Sequence, residues 1–204
     1  MVSYTYPEQL FLFDLVSKIM AENGMLMSMN EACQIYRAVK ATQKMQGDLA
    51  EVGVYKGGTS KIICEAKREK KLHLFDTFEG IPSLENINPE QFRKNQYGYT
   101  FENVKKYLKN YENVYFYKGV FPSTGEPVKN KKFSFVHLDV DFYESTLNSL
   151  IFFYPLMAEG GVIISHDYLY YIGVKKAFDD FFKDKVEPVI TLSDNQCMIV
   201  KCST

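Results

Sequence analysis

Apolar side chains between Pro7 and Glu22 fall at Leu10, Phe11, Phe13, Leu15, Val16, Ile19 and Met20, a spacing that predicts a helix rather than a strand. A second helix is predicted from Ser28, where Ser28-Met29-Asn30-Glu31 has the capping-box pattern, through Ile35, Tyr36, Ala38 and Val39 towards Met45. Gly47-Asp48 breaks that periodicity, and short apolar runs then alternate with helical spacing. The runs at 49–54, 72–75, 113–117, 133–139 and 160–165 are predicted strands. Predicted helices lie between them, at about Gly58 to Lys67, through Val104, Tyr107 and Leu108, from Tyr143 to Met157, and from Val174 to Phe182. Val186 to Leu192 and Gln196 to Lys201, separated by Ser193-Asp194-Asn195, form a predicted terminal hairpin.

Strands separated by helices imply an α/β, doubly wound, mostly parallel sheet, and the hairpin requires one antiparallel strand at its end. Residues 1–204 are read as a single domain, with N-terminal helices over 1–46 and a Rossmann-like core over 47–204. The connection 77–100, with Gly80, Pro82, Pro89 and Gly98, is too long for an ordinary loop and is a candidate lid.

Lys+Arg 24 against Asp+Glu 25 gives a net charge of -1, which removes nucleic acid and anionic membrane as expected partners. No basic leader and no apolar run of ~18 to 20 residues is present, so a soluble cytoplasmic protein is expected. Cys33, Cys64, Cys197 and Cys202 lack CxxC spacing and read as buried small hydrophobes rather than disulfides or zinc ligands. Lys67 to Lys71 and Lys129 to Lys132 read as solvated charge runs.

Two motifs carry candidate chemistry. Glu51-Val52-Gly53-Val54-Tyr55-Lys56-Gly57-Gly58-Thr59-Ser60 joins the first strand to the next helix, where backbone N–H groups can receive an anion. Its spacing is neither GxGxxG nor a P-loop. Asp76 ends the second strand, where doubly wound nucleotide-binding folds place an acid for ribose hydroxyls, so Glu51, Gly53 and Asp76 suggest an adenosine ligand. The alternative for the glycines is a turn that needs φ > 0.

His137-Leu138-Asp139-Val140-Asp141 follows the fourth strand and Ser165-His166-Asp167-Tyr168 the fifth, which brings Asp139, Asp141, His166 and Asp167 to the same rim of the sheet. Converging carboxylates need a cation: Asp139 and Asp167 suit Mg2+, and an imidazole from His166 shifts preference towards Mn2+ or Fe2+. His166 has a second possible role, as the base. Asp141 is equally a candidate helix cap, and His137 a core histidine. Tyr97, Tyr99, Tyr168, Tyr170 and Tyr171 are candidate acceptor contacts, since amphipathic rings cover sugar or aromatic faces, or else they pack the rim.

Taken in order, Gly47 to Ser60, Phe75-Asp76-Thr77-Phe78-Glu79-Gly80-Ile81-Pro82, Lys118-Gly119-Val120-Phe121-Pro122-Ser123-Thr124, His137 to Thr146 and Gly160 to Tyr168 resemble the macrocin-type (TylF/MycF) O-methyltransferase family. The resemblance implies a class I methyltransferase fold with a seven-stranded sheet and an antiparallel last strand. It also implies metal-assisted, S-adenosylmethionine-dependent methylation of a hydroxyl of a small molecule, such as a sugar of a glycosylated natural product. By position, Glu51, Gly53, Gly57, Thr59 and Ser60 would line the methionine end of the cofactor, with Asp139 beside it, and Asp76 would hold the ribose. Asp139, His166 and Asp167 would bind the metal, with Asp139 and His166 the catalytic pair.

The family's Asp-Asp-Tyr is His166-Asp167-Tyr168 here, and the loop 119–126 offers no histidine, so the resemblance assigns no general base. A homo-oligomer is a further expectation. Two other readings share the fold: a nicotinamide-dependent oxidoreductase, opposed by the missing GxGxxG, and a catalytically inactive binding subunit.

Overall fold

The computed structural model describes residues 7–81 and 96–203, so part of the candidate lid, 82–95, lies outside the described residues. Two helices, α1 (Pro7–Asn23) and α2 (Met29–Ala41), precede the first strand. Both halves of the expected capping box are formed, with the Glu31 amide donating to Ser28 Oγ (3.2 Å) and the Ser28 amide to Glu31 Oε2 (2.8 Å).

Strands β1 (Asp48–Val52), β2 (Leu72–Asp76), β3 (Val114–Lys118), β4 (Phe133–Leu138), β5 (Met157–Ser165), β6 (Ile190–Thr191) and β7 (Cys197–Val200) form one seven-stranded sheet. Its order is β3-β2-β1-β4-β5-β7-β6, parallel except where β7 runs antiparallel to β5 and β6. Helices α3 (Gly58–Lys67), α4 (Phe101–Tyr107), α5 (Tyr143–Phe153) and α6 (Ile172–Phe182) complete the alternation. Both faces are covered, which is why the central strands read as short, mainly apolar runs, with Glu51, His73, Ser134 and His137 the buried polar exceptions. On one face Leu49, Leu72, Leu74 and Phe135 pack with Val16, Ile35 and Ile62 of α1, α2 and α3. On the other, Ala50, Val52, Phe75, Val136 and Leu138 pack with Leu150, Phe153 and Phe178 of α5 and α6. Among the described residues no helix is long and apolar enough to cross a membrane.

Several local expectations shift. The helix predicted to reach Met157 stops at Phe153, because Pro155 cannot continue its hydrogen bonds; a 3-10 turn (Tyr154–Leu156) follows, and Met157 already pairs with Phe133. The strand predicted over 186–192 shrinks to Ile190–Thr191, two residues beyond Pro188, which has no amide to donate. Cys33, Cys64 and Cys197 are buried, but Cys202, just past the last strand, is exposed. The run Lys67 to Lys71 is not simply solvated surface. Lys67 Nζ donates to the carbonyls of Arg68, Lys70 and Glu112, and Lys70 Nζ to those of Met45 and Gly47.

A buried ion pair closes the C-terminal end. Lys201 Nζ lies 2.8 Å from Glu187 Oε1, and the Tyr154 hydroxyl donates to the same carboxylate (2.9 Å). Burial works against the Glu187 charge, but Lys201 and the hydrogen bonds from Tyr154 and Cys202 outweigh it and hold the pKa down at about 2. A lowered folded pKa adds stability at neutral pH that is lost as pH falls from the ordinary carboxylate range through about 2. Removing the titrating group with Glu187→Gln is therefore expected to flatten the acid limb of the stability–pH curve by about 3 kcal/mol, measured by urea unfolding.

Candidate active site

Strand order reverses between β1 and β4, and open parallel sheets bind ligands in the crevice beyond that switch point. The two strand ends meet there: the Asp139 amide donates to Val52 O (2.8 Å), and Gly53, at φ +88, follows directly. A Cβ on Gly53 would lie 1.8 Å from the Asp139 carbonyl oxygen. Glycine is thus demanded by strand packing as well as by the turn.

A cavity of about 270 Å³ opens over this point, bounded by Gly53, Thr59 and Asp76 on one side and by Asp139, His166 and Asp167 on the other. Asp76 anchors the turn between them. Its Oδ2 accepts from the Val54 and Tyr55 amides (2.6 and 3.0 Å), and its Oδ1 from the Phe78 amide (2.6 Å). Helix α3 begins next to it at Gly57, whose αL backbone supplies no side-chain cap, so Gly58 and Thr59 present the positive end of the helix to the cavity.

Three residues expected at the cofactor stand back from the cavity. Glu51 is fully buried, accepting from Ser60 Oγ and pairing with His137 Nδ1 (3.1 Å), and neither Glu51, Ser60 nor Gly57 is among the lining residues. Burial raises the Glu51 pKa. His137 is accordingly a core histidine tied to Glu51.

On the far side, the ligand atoms of Asp139, His166 and Asp167 all lie within 4.8 Å of one another. His166 Nδ1 is 3.2 Å from Asp139 Oδ1 and 3.3 Å from Asp167 Oδ2, and Nε2 is 3.3 Å from Glu31 Oε1. Burial opposes a charged imidazole, but Asp139, Asp167 and Glu31 outweigh it and raise the His166 pKa. Asp141 is not a helix cap. It lines the cavity at φ +60, one residue before the Phe142 N-cap, and burial followed by the charges of Asp139 and Asp167 pushes its pKa well above the carboxylate range.

Of the five candidate tyrosines, Tyr97 and Tyr171 line the cavity. Tyr168 is buried edge-on to Phe178, Tyr99 packs at the rim of the α1–α3 core, and Tyr170 points to solvent. Asn23, at the end of α1, and Met25 and Leu26, in the α1–α2 connection, also line the cavity, and Glu31 approaches His166, although no motif in the sequence marks any of these contacts.

The model of the macrocin-O-methyltransferase (TylF) family matches residues 23–201. The chain belongs to that family. Among family relatives, demethyldecarbamoylnovobiocin O-methyltransferase of Streptomyces niveus is 28% identical over 151 residues, 66% of this chain and 58% of that protein. Mycinamicin III 3''-O-methyltransferase of Micromonospora griseorubida is 26% identical over 140 residues, 60% of this chain and 55% of that protein. The chain thus spans little more than half the length of these curated relatives. The solved O-methyltransferase NovP superposes with a TM-score of 0.80 at 21% identity, covering 95% of this chain and 97% of that one. The calicheamicin methyltransferase CalS11 does so with 0.67 at 14%, covering 97% and 94%. The fold of these two solved methyltransferases is therefore shared over nearly all of this chain.

Proposed function

We propose that this chain is an S-adenosylmethionine-dependent O-methyltransferase that acts, with a divalent cation, on a hydroxyl of a small molecule. The name of one further relative, a 4'-O-methyltransferase of a rhamnosyl-bearing tetracenomycin, favours a sugar of a glycosylated natural product as acceptor. One observation carries the reading: the uncapped start of α3 and the Asp76-anchored turn face the Asp139–His166–Asp167 cluster across a single cavity at the sheet's switch point.

The residues fit both a methionine-bearing nucleoside and a divalent cation. The amides at Gly58 and Thr59 suit the carboxylate of a methionine moiety, and the turn held by Asp76 bounds the place for its nucleoside. The cluster offers one nitrogen and two carboxylates, a donor set suited to Mg2+, Mn2+ or Fe2+. When bound, the sulfonium supplies an electrophilic methyl group and the cation Lewis acidity that lowers the pKa of a nearby hydroxyl.

What remains for the protein is alignment and a proton acceptor. His166 is poorly placed for the second task, because both of its ring nitrogens already face carboxylates. Asp141 is better placed: its carboxylate lines the cavity beside the cluster without being one of the cluster's three ligand groups. Tyr97 and Tyr171 offer flat faces against which an acceptor ring can settle.

Asp76→Ala removes the acceptor for three backbone amides and releases the turn, so S-adenosylhomocysteine affinity is expected to fall about tenfold or more by calorimetry. The activity itself is tested with methyl-13C-labelled S-adenosylmethionine and a panel of deoxysugar-bearing small molecules, before and after chelation of divalent metal. A labelled O-methyl product that disappears on chelation and returns with Mn2+ or Mg2+ supports the reading. Labelled product undiminished by chelation contradicts the metal's part in it.

A further inference from the structure

Both ring nitrogens of His166 meet carboxylates, but the carboxylates come from different parts of the fold. Asp139 and Asp167 face Nδ1 from the ends of β4 and β5, whereas Glu31, facing Nε2, belongs to α2. Glu31 is buried and its orientation is fixed by other groups. Oε2 accepts the Ser28 amide (2.8 Å) as part of the capping box, and Oε1 also accepts the Asn195 amide (3.0 Å). The hairpin turn that supplies Asn195 is fastened to α2 through Ser28 Oγ to Asp194 and Gln34 Nε2 to Ser193 Oγ (2.6 Å). Asn195 reaches the cluster as well: its Nδ2 donates to Asp167 Oδ1 (2.8 Å), leaving Oδ2 turned towards His166.

A ring nitrogen cannot hold a proton and give its lone pair to a cation at once. If Nδ1 is to be a ligand beside Asp139 and Asp167, the proton must sit on Nε2, and Nε2–H then needs a buried acceptor. Glu31 Oε1, 3.3 Å from Nε2, is the oxygen placed to take that role. The opposite tautomer would aim the Nε2 lone pair at a carboxylate and block the cluster with Nδ1–H. Carboxylate–histidine–metal relays of this kind orient the ring and raise its basicity.

We propose that Glu31 is a positioning residue for the cation site: it holds His166 as the Nε2–H tautomer, presents Nδ1 as a nitrogen ligand beside Asp139 and Asp167, and biases the site towards Mn2+ or Fe2+ over Mg2+. The inference rests on the metal-assisted reading above. It makes α2 and the β6–β7 turn part of the metal site's frame, although neither contributes a ligand.

The test is Glu31→Gln. The amide oxygen can still accept the Ser28 amide, and glutamine is accepted in capping boxes, so the fold is expected to survive. With its oxygen on Ser28, the NH2 group faces Nε2 and drives the proton to Nδ1; with its oxygen turned to Asn195 and Nε2, the neutral amide is a weaker acceptor than the carboxylate and leaves the ring less basic. Mn2+ affinity, measured by calorimetry and by the electron spin resonance of free Mn2+, is expected to fall about 10- to 100-fold, with a smaller Mn2+ over Mg2+ preference. Proton–nitrogen correlation spectra of the His166 ring in Zn2+-loaded wild type are expected to show Nε2–H. In a His166→Asp background, Glu31→Gln is expected not to weaken metal binding, since no ring remains to orient.

Equal Mn2+ affinity in wild type and Glu31→Gln, or Nδ1–H in the loaded wild type, overturns the proposal and leaves the metal-assisted reading standing. A wild-type protein that binds neither Mn2+ nor Mg2+ overturns that reading and the proposal with it.

Discussion

Gly53→Ala is expected to cost about 4 kcal/mol or more of folding stability, far more than one added methyl group ordinarily does. Two independent penalties combine. The backbone at φ +88 disfavours any L side chain, and the new Cβ would lie 1.8 Å from the Asp139 carbonyl oxygen and 2.7 Å from its carbonyl carbon. Those atoms cannot step aside cheaply, because the Asp139 amide is tied to Val52 O at 2.8 Å in the parallel ladder. Relief requires β1 and β4 to separate at the point where the cavity opens. Urea unfolding checks this, and a loss below about 1 kcal/mol would show that the strand ends are looser than their contact implies.

Asp139→Asn tests the chemistry rather than the scaffold. The backbone bond that holds residue 139 beside β1 is independent of its side chain, so the strand ends are expected to stay in place and the melting temperature to fall only by the weakened pairing with His166. The cluster, however, loses one of its two negative ligands, and an amide is a far weaker partner for a divalent cation. Calorimetric metal binding is expected to vanish, and kcat/KM for an accepted hydroxyl substrate to fall about 10³-fold, equivalent to roughly 4 kcal/mol of transition-state stabilisation. Retained metal binding and turnover would move the cation site elsewhere.

Much of this architecture was legible because local signals and tertiary demands agree. The capping box at Ser28 and Glu31 starts α2 where it was expected, and the helix predicted from Gly58 to Lys67 keeps both bounds. The strands buried on both faces announce themselves as apolar runs. Legibility fails where a residue serves contacts distant in sequence. Lys67 and Lys70 look like surface charge until the carbonyls they cap are brought to them by β3 and by the turn before β1. Glu51 belongs to a cofactor motif, yet its carboxylate turns into the core towards Ser60 and His137.

The candidate site divides along the same line. Asp76, Asp139, His166 and Asp167 follow from strand ends, since a parallel sheet delivers such residues to one rim. Asp141 was ambiguous because aspartate before a helix is so often a cap, and only the position of Phe142 as N-cap resolves it. Glu31 carried a complete local explanation in its capping box. No periodicity could show that α2 docks on the β6–β7 turn and brings the same carboxylate to 3.3 Å from His166.

A methyl-donor site at the β1/β4 switch point is checked by titrating the protein with S-adenosylhomocysteine in a calorimeter, with NAD+ as the comparison ligand. Saturable one-to-one heat is expected from the thioether, weakened in Asp76→Ala, and none from NAD+. Absence of thioether binding, or saturable binding of NAD+ in its place, would contradict a methyl-donor site there.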